Sequence, residues 1–253
     1  MIRPRLIPCL LIHNGGLHKT VEFGQPKYVG DPLNAVRIFN EKQVDELIVV
    51  DIDSSRMRRE PDYQLIAKLA SECRMPLCYG GGVKTVDAFD RIIGLGVEKI
   101  AVSSAAIENP ELVSAAAARV GSQSVVAVMD VKKTGLFRRY EVVTMNALKK
   151  TGLEPASWAA ELESRGAGEI VINSVDCDGQ MKGYDFDLVD NIRDAVSTPL
   201  TVLGGAGSLE NVRSLFKRYG VIGAAAGSLF VFKGKYRAVL ISYPNREEKT
   251  TLY

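Results

Sequence analysis

Eight short apolar runs recur along the chain, and amphipathic segments of helix length separate them. Examples are RLIPCLLI at 5–12, LIVVD at 47–51 and EIVINS at 169–174. Continuous apolar runs of this length are typical of strands that are buried on both faces of a parallel sheet. Helix-capping residues such as Asp31 and Thr85 begin the intervening segments. The pattern therefore predicts strands and helices in alternation.

The second half of the chain repeats the first. PLCYGGGVKTV at 76–86 recurs as PLTVLGGAGSL at 199–209, and DELIVVDID at 45–53 corresponds to AGEIVINSVD at 167–176. Alternating strand and helix signals over about 250 residues describe one closed barrel. With the internal repeat, they predict an α/β fold, a single (βα)8 TIM barrel built from two homologous half-barrels.

The last part of the chain departs from this alternation. KGKYRAVLISYP at 233–244 is rich in β-branched and aromatic residues without helical periodicity, and the following residues to 253 are polar. We therefore expect residues 1–232 to form the barrel and residues 233–253 to form an extended closing segment and a polar C-terminal tail. The alternating insertion LFRRYEVVTM at 136–145 predicts a hairpin.

The composition changes this picture little. Hydrophobic residues make up 46% of the 253 positions and charged residues 25%, as in a globular protein with a large core. The net charge is +2, so no overall field predicts a nucleic-acid partner or an anionic membrane surface. Neither a signal segment nor an apolar run of membrane-helix length is present, which predicts a cytoplasmic protein.

The cysteines give no sign of a metal site. They form no CxxC pair and have no histidine at metal-ligand spacing. We expect reduced thiols, no bound metal and no cofactor. The four residues are Cys9, Cys73, Cys78 and Cys177.

Polar residues stand at the predicted carboxyl ends of the strands, where barrels of this kind carry out their chemistry. Asp130 directly follows the apolar residues VVAVM, so its burial indicates a functional role. The internal repeat places Leu11 opposite Asp130, and a pair of carboxylates, one acid and one base, has therefore lost a member. The other candidates are Lys19, Asp51, Ser174, Asp176 and Asp178, each of which could also simply cap a loop.

The first of these strand ends leads into a long polar segment, HNGGLHKTVEFGQPKYVG, which is predicted to be a loop. It contains both histidines of the chain, His13 and His18, together with Lys19.

A second charged set precedes the strands at the opposite end of the predicted barrel. Such charges are commonly solvated, but two of each sign on alternate strands also fit a ring that plugs or gates the barrel floor. The four residues are Arg5, Glu46, Lys99 and Glu169.

The repeated glycine segments GGG and GGAG each precede a capped helix. Glycines before a helix N-terminus let an oxyanion approach backbone N–H groups, although glycines alone also serve tight turns. Two such segments at matching spacing predict two phosphate sites and a substrate with two anionic ends.

These motifs resemble the cyclase subunit of imidazole glycerol phosphate synthase across almost the whole chain to about Phe232. The resemblance implies a barrel that receives ammonia from a glutaminase subunit docked on its floor. The ammonia would pass through the charged ring to a phosphorylated small-molecule substrate. The matching motifs are RLIPCL, GDPLNAVRIFNE, DELIVVDID, YGGGVKT, SSAAIENPELV, MDVKK, GAGEIVINSVDCDGQMKGYD and GGAGSLENV.

The resemblance also implies roles for individual residues. Asp130 matches the second catalytic aspartate, and Glu98 stands at a position that contacts the glutaminase. The ammonia gate is matched by Arg5, Glu46, Lys99 and Glu169, and substrate-binding positions by Lys19, Asp51, Asp176 and Asp178. The implied phosphate-binding residues are Gly82, Ser103, Ser104, Gly205, Gly227 and Ser228.

The chain departs from the family pattern at three places. Leu11 replaces the first catalytic aspartate, Cys177 stands at an arginine-like position, and the last helix is missing from the pattern. This combination is similar to a paralogue associated with surface-polysaccharide genes. In that paralogue the barrel and a glutaminase supply ammonia to a separate sugar amidotransferase, so lipopolysaccharide biosynthesis is the implied pathway.

Three other interpretations stay open. The chain fits a histidine-biosynthesis cyclase if Asp51, His13 or His18 replaces the missing carboxylate. A related isomerase of the same pathway shares the doubled half-barrel, but it needs an acidic residue on the first strand and no ammonia. A non-catalytic phosphate-binding scaffold would use the phosphate sites only for regulation or stability.

Overall fold

The apolar runs form the wall of a closed barrel in this computed structural model, which describes residues 3–253. Eight of its strands are parallel, and the other six form hairpins at the barrel ends. The strands, in chain order, are β1 (Arg5–His13), β2 (Gly16–Lys19), β3 (Lys27–Gly30), β4 (Leu47–Asp51), β5 (Leu77–Gly80), β6 (Lys99–Val102), β7 (Val125–Thr134), β8 (Arg139–Thr144), β9 (Lys149–Lys150), β10 (Glu169–Ser174), β11 (Leu200–Leu203), β12 (Gly223–Ala226), β13 (Phe232–Lys233) and β14 (Ala238–Val239).

The predicted eightfold barrel is confirmed. The wall runs in the order β1, β4, β5, β6, β7, β10, β11, β12, and β12 pairs in parallel with β1 to close it. Because all eight strands are parallel, their carboxyl ends meet at one face. Within residues 3–253, none of the helices is both long and apolar enough to cross a membrane.

Helices cover the outside of the wall, and most begin at the predicted caps. Asp31, Thr85 and Ser208 each accept a backbone N–H bond from the first turn of the helix that follows. The helices are α1 (Pro32–Glu41), α2 (Tyr63–Glu72), α3 (Val86–Gly94), α4 (Ser104–Glu108), α5 (Glu111–Val120), α6 (Pro155–Ser164), α7 (Phe186–Arg193), α8 (Leu209–Tyr219), α9 (Ser228–Val231) and α10 (Arg246–Thr250).

The segment predicted as a long loop after the first strand is instead mostly a hairpin. His13 is the last residue of β1, and His18 and Lys19 belong to β2, which pairs with β1 in antiparallel register. The turn between them has positive φ at Asn14 and Gly15. An Asn-Gly pair is a strong signal for a two-residue hairpin turn, so the prediction of a loop was wrong.

Two further features adjust the predicted outline. The predicted hairpin in the insertion is present, because β7 continues beyond Asp130 to Thr134 and pairs with β8. The short helices α4 and α9 follow the matching strands β6 and β12, and the periodicity of the sequence did not reveal them. The two half-barrels therefore match even in these one-turn elements.

Residues 243–253 pack against the barrel floor, whereas Arg237, earlier in the C-terminal segment, donates to the Gly179 carbonyl in the loop after β10 at 3.0 Å. Tyr243 donates its hydroxyl to the carbonyl of Leu6 at 2.8 Å and accepts the N–H of Asp45 at 3.2 Å. Lys249 pairs with the Asp45 carboxylate at 2.5 Å, and Leu252 is buried. The C-terminal residues thus tie the start of β1 to the turn before β4.

We expect Tyr243→Phe to lower the free energy of unfolding by about 1–3 kcal/mol, because it leaves the Asp45 N–H and the Leu6 carbonyl without their shared partner. Urea unfolding followed by circular dichroism measures the change. Tyr236→Phe is the matched control, since Tyr236 is 90% exposed. Equal stability of the two variants would contradict a stabilising role for the C-terminal residues.

Candidate functional site

Four charged side chains meet at the amino end of the barrel and close its floor. Arg5 binds Glu46 at 2.5 Å and Glu169 at 2.7 Å, and Lys99 lies 2.9 Å from Glu46 and 2.8 Å from Glu169. Each cation therefore contacts both carboxylates. The four predicted gate residues form a continuous ring, although Arg5 and Glu46 stand on neighbouring rather than alternate strands, and we call them the floor ring.

The carboxylates of the floor ring are buried, whereas its cations reach the outer surface. The side chains of Glu46 and Glu169 are 4% and 5% exposed, compared with 27% for Arg5 and 20% for Lys99. Burial disfavours the charged form of Glu169, but the Arg5 and Lys99 contacts outweigh it and lower the pKa of Glu169. The same contacts raise the pKa of Lys99 against the effect of burial. Glu169 and Lys99 are therefore both charged near neutral pH.

An apolar layer lies directly above the floor ring. Side chains two residues further along a strand point to the same side, so Ile7, Ile48 and Val171 follow Arg5, Glu46 and Glu169 into the barrel interior. The cluster at this level consists of Ile7, Cys9, Ile48, Cys78, Ala101, Val126, Val171 and Ala225. Five of these residues also line the bottom of a cavity that opens at the carboxyl face, with a volume of about 250 Å³.

Asp130 lines this cavity and is held by a neighbouring amide. Asn173 Nδ2 donates to Asp130 Oδ1 at 2.8 Å. Burial raises the pKa of Asp130 to about 6, and the hydrogen bond from Asn173 only partly opposes this rise. Asp130 is therefore ionised in part near neutral pH, as a group that exchanges protons with a substrate requires.

Leu11 and Lys19 lie on the opposite part of the cavity wall, on β1 and β2. Lys19 is 6% exposed, and its Nζ donates to the carbonyl of Cys9 at 2.5 Å. Burial lowers the pKa of Lys19. A Cβ at Gly227 would stand 2.4 Å from Lys19 Nζ, so a larger residue there would displace the end of the lysine side chain.

Two further aspartates reach the cavity, and both are engaged. Asp51 Oδ1 accepts the N–H groups of Asp53 and Ser54, while its Oδ2 accepts the Ser54 hydroxyl at 2.6 Å. Asp178 accepts the hydroxyl of Thr20 at 2.8 Å, and burial raises the pKa of Asp178. Asp51 thus shapes the loop after β4, while Asp178 joins the loop after β10 to the segment after β2.

Most of the residues predicted to bind phosphate also line the cavity. Ser103 carries a buried hydroxyl that makes no well-formed hydrogen bond within the described residues, although it lies close enough to Asp130 to lower the pKa of that carboxyl. Gly82 has φ +75°, and a Cβ there would meet the Arg59 carbonyl at 2.7 Å. The predicted members present in the cavity wall are Gly82, Ser103, Ser104, Gly227 and Ser228.

Several predicted residues lie outside the cavity wall. Asp176 accepts the N–H of Lys133 at 2.8 Å, and Gly205 pairs with Gly183 through its carbonyl. Ser174 is buried at the end of β10. On the floor, Glu98 is exposed and accepts the N–H of Leu77 at 2.7 Å through one oxygen, which leaves the other oxygen open to solvent.

Sequence reasoning missed three residues of the two sites. Asn173 holds Asp130, Thr201 donates to Glu169 at 2.6 Å in the floor, and Asp53 contacts His13 at the cavity rim. The first two could have been predicted from the two-residue period, because Asn173 and Thr201 occupy positions of their strands that face the barrel interior. Asp53 carries no such signal. Among residues 3–253, no group of three or more His, Cys, Asp or Glu side chains could hold a metal ion.

Comparison with known proteins assigns the family. Residues 5–237 match the family model described as "Histidine biosynthesis protein". A protein of Leptospira interrogans named "Putative imidazole glycerol phosphate synthase subunit HisF" is 55% identical over the full length of both chains.

Two more distant matches agree. A protein of Vibrio vulnificus named "Putative imidazole glycerol phosphate synthase subunit hisF3" is 54% identical over 98% of this chain and 96% of its own length. The "Imidazole glycerol phosphate synthase subunit HisF" of Lactococcus lactis is 38% identical over 91% of this chain and 89% of its own length. The chain therefore belongs to the histidine biosynthesis protein family, among the HisF subunits of imidazole glycerol phosphate synthase.

Proposed function

We propose that this chain is the synthase subunit of a glutamine amidotransferase complex and that it conducts ammonia from a glutaminase subunit on its floor to the cavity at its carboxyl face. The observation that carries this proposal is the floor ring beneath an apolar interior. The relatives are named as subunits of imidazole glycerol phosphate synthase, which is consistent with a partner subunit.

The floor ring and the apolar layer together favour passage of neutral ammonia. A charged ammonium ion would lose its hydration in the apolar layer without gaining a partner there. Lys99 is the member best able to open the ring, because its compact ammonium sits on a flexible stem, whereas Arg5 holds both carboxylates through a rigid fork. Movement of Lys99 would open a path beside Ile48 and Val171.

The cavity is suited to a phosphorylated substrate or to transfer of ammonia onward. Ser103 and the glycines offer donors and close backbone approach for an oxyanion. Lys19, Asp51 and Asp178 supply charge at the cavity wall. The roles of Asp176 and Gly205, which lie outside it, would require a substrate that extends over the loops after β10 and β11.

Leu11 directs the proposal away from histidine-pathway cyclisation. Leucine neither donates nor accepts a proton, and general acid–base catalysis typically contributes about two to four orders of magnitude in rate. We therefore propose that the ammonia serves a sugar-type substrate, or a partner sugar amidotransferase, in the biosynthesis of a surface polysaccharide in the cytoplasm. A histidine-biosynthesis cyclase is the alternative.

The glutaminase is expected to bind the floor through Glu98. Glu98→Gln should raise the Kd for the glutaminase subunit by about tenfold, as loss of one interfacial charge does, while it keeps the acceptor for the Leu77 N–H. Titration calorimetry measures the binding. Glu22→Gln is the control, because Glu22 is exposed at the opposite end of the barrel. Absence of binding by the unchanged chain would refute the complex.

Leu11→Asp should restore cyclisation of the imidazole glycerol phosphate synthase substrate with ammonium as nitrogen source. The expected gain over the unchanged chain is about two to four orders of magnitude, because a second proton-transfer group then faces Asp130 across the cavity. A spectrophotometric cyclisation assay measures it.

Leu203→Asp is the matched control, since Leu203 also lines the cavity but lies on β11. Adding Lys99→Met to Leu11→Asp should change turnover with glutamine and leave turnover with ammonium unchanged. Fast cyclisation by the unchanged chain would contradict the role given to Leu11.

Asp130→Asn should stabilise the protein above pH 6. The raised pKa of Asp130 means that its ionisation in the folded state costs stability, and the cost grows as the pH rises from 3.8 to about 6. The expected gain at pH 8 is about 1–3 kcal/mol, and it should shrink as the pH falls below 6. Urea unfolding at pH 5 and pH 8 measures it. Asp194→Asn, on an exposed residue, should show no such pH dependence.

A further inference from the structure

His13 follows Leu11 on β1 and also points into the cavity, but it lies closer to the cavity mouth. The two positions are two residues apart on one strand, so both side chains point to the same side. Both line the cavity, and the side chain of His13 is 23% exposed. His18 packs its ring edge against His13 at 4.9 Å but is not part of the cavity wall.

Asp53 fixes the orientation of His13. The carboxylate of Asp53 is 5% exposed, and its Oδ1 lies 2.7 Å from His13 Nδ1. Its Oδ2 accepts the N–H of Asn14 at 2.8 Å and faces Arg59 at 3.9 Å. Burial opposes the charge, but the bonds from Asn14 and His13 prevail and lower the pKa of Asp53. Asp53 is therefore an anion near neutral pH and accepts the proton of Nδ1.

The other ring nitrogen of His13 is left as an acceptor. Asn14 Nδ2 lies 3.0 Å from His13 Nε2 and can only donate to it. Both neighbours therefore favour the tautomer with the proton on Nδ1 and the lone pair on Nε2. Asn14 lies in an exposed turn, so a substrate can displace its amide from Nε2.

Four other basic or nucleophilic groups in the cavity wall are less able to accept a proton. Burial raises the pKa of Cys9 to about 11 and raises that of Cys78 well above its usual value, so both thiols stay protonated. Lys19 donates to the Cys9 carbonyl, and Asp51 has both oxygens bonded to the loop after β4. Among the described residues that line the cavity, His13 is the only imidazole, and its contact with Asp53 leaves the Nε2 lone pair on the cavity side of the ring.

We propose that His13, oriented by Asp53, is a general base of this cavity and acts with Asp130 when ammonia adds to the carbonyl carbon of a phosphorylated substrate. This proposal rests on the proposed delivery of ammonia to the cavity. It identifies the cavity as a reaction site rather than only an exit for ammonia.

The proton transfers balance within the cavity. The nitrogen lone pair forms the C–N bond, and the π electron pair of the carbonyl moves to its oxygen. That oxygen takes the proton of the Asp130 carboxylic acid, while Nε2 of His13 accepts a proton from the new ammonium nitrogen. The product is a neutral carbinolamine. The proton gained by His13 returns to Asp130 through solvent.

The test uses bromoacetol phosphate, a phosphorylated bromoketone, on the full chain without ammonia or glutaminase. The lone pair of His13 Nε2 should displace bromide and form a C–N bond, and inorganic phosphate should slow the reaction by competition. Peptide mass spectrometry locates the label, and the chain has only two histidines. We expect the label on His13 and none on His18.

Asp53→Asn should slow labelling of His13 by about tenfold or more, because an amide donor would place the proton on the wrong ring nitrogen. Nitrogen-15 NMR of the imidazole should show the same change of tautomer, a readout that a merely structural role would not move. His18→Gln is the matched control and should label like the unchanged chain. His13→Gln should abolish the histidine label and leave far-ultraviolet circular dichroism unchanged.

Two outcomes would overturn the proposal. One is a label carried only by cysteines, and the other is equal labelling of His13 with and without Asp53→Asn. Labelling needs neither ammonia nor a glutaminase, so it tests the role of His13 independently of ammonia conduction. A labelled His13 in a chain that binds no glutaminase would support the general base and remove the proposed ammonia delivery.

Discussion

The floor ring is the interaction on which the rest of the structure depends. Its two carboxylates are almost fully buried, and each is held by both cations. Stability alone does not explain such a ring, because burying charge costs more hydration than the ion pairs return, and apolar residues of similar size often stabilise as well or better. The proposed conduction of ammonia would explain it, since two cations and two anions can separate and rejoin while the barrel wall stays fixed.

The ring also dictates what surrounds it. Thr201 donates to Glu169 and fills the space that Gly223 leaves, because a Cβ at position 223 would stand 1.8 Å from the Thr201 hydroxyl. Asp45, next to Glu46, binds the N–H of Leu6, next to Arg5, and the C-terminal residues clamp both through Tyr243. Residues far apart in the chain therefore converge on the backbone that positions the ring.

The barrel and many of its inward-facing residues could be predicted from the sequence, because the two-residue period of the strands determines both. The two-residue period of the strands directs the side chains of Arg5, Glu46, Lys99 and Glu169 into the barrel. It also directs Leu11 and Asp130 toward the cavity. The predictions that failed concern short local elements. The Asn-Gly turn that makes the β1–β2 hairpin was readable, as was the capping box of α10 at Asn245 and Glu248, a pattern of known spacing.

The contact between His13 and Asp53 could not be predicted from the sequence, for a different reason. Asp53 lies in the turn after β4, and its direction depends on the bonds that its own loop makes to Asp51. No periodicity describes a turn whose shape is set by one carboxylate accepting several N–H groups. The same holds for the α4 and α9 turns, which are too short to show a helical period.

Leu11 changes the electrostatics of the cavity as well as its chemistry. A second carboxylate facing Asp130 would repel its charge and raise its pKa further, so the two groups would share a proton. With leucine in that place, burial is the largest cause that raises the pKa of Asp130. Asp130 then titrates near pH 6 as a single group, while the same cavity wall carries an imidazole oriented by a buried anion. An acid and a base of different chemical type each keep a pKa of their own. Two coupled carboxylates instead share one proton between them.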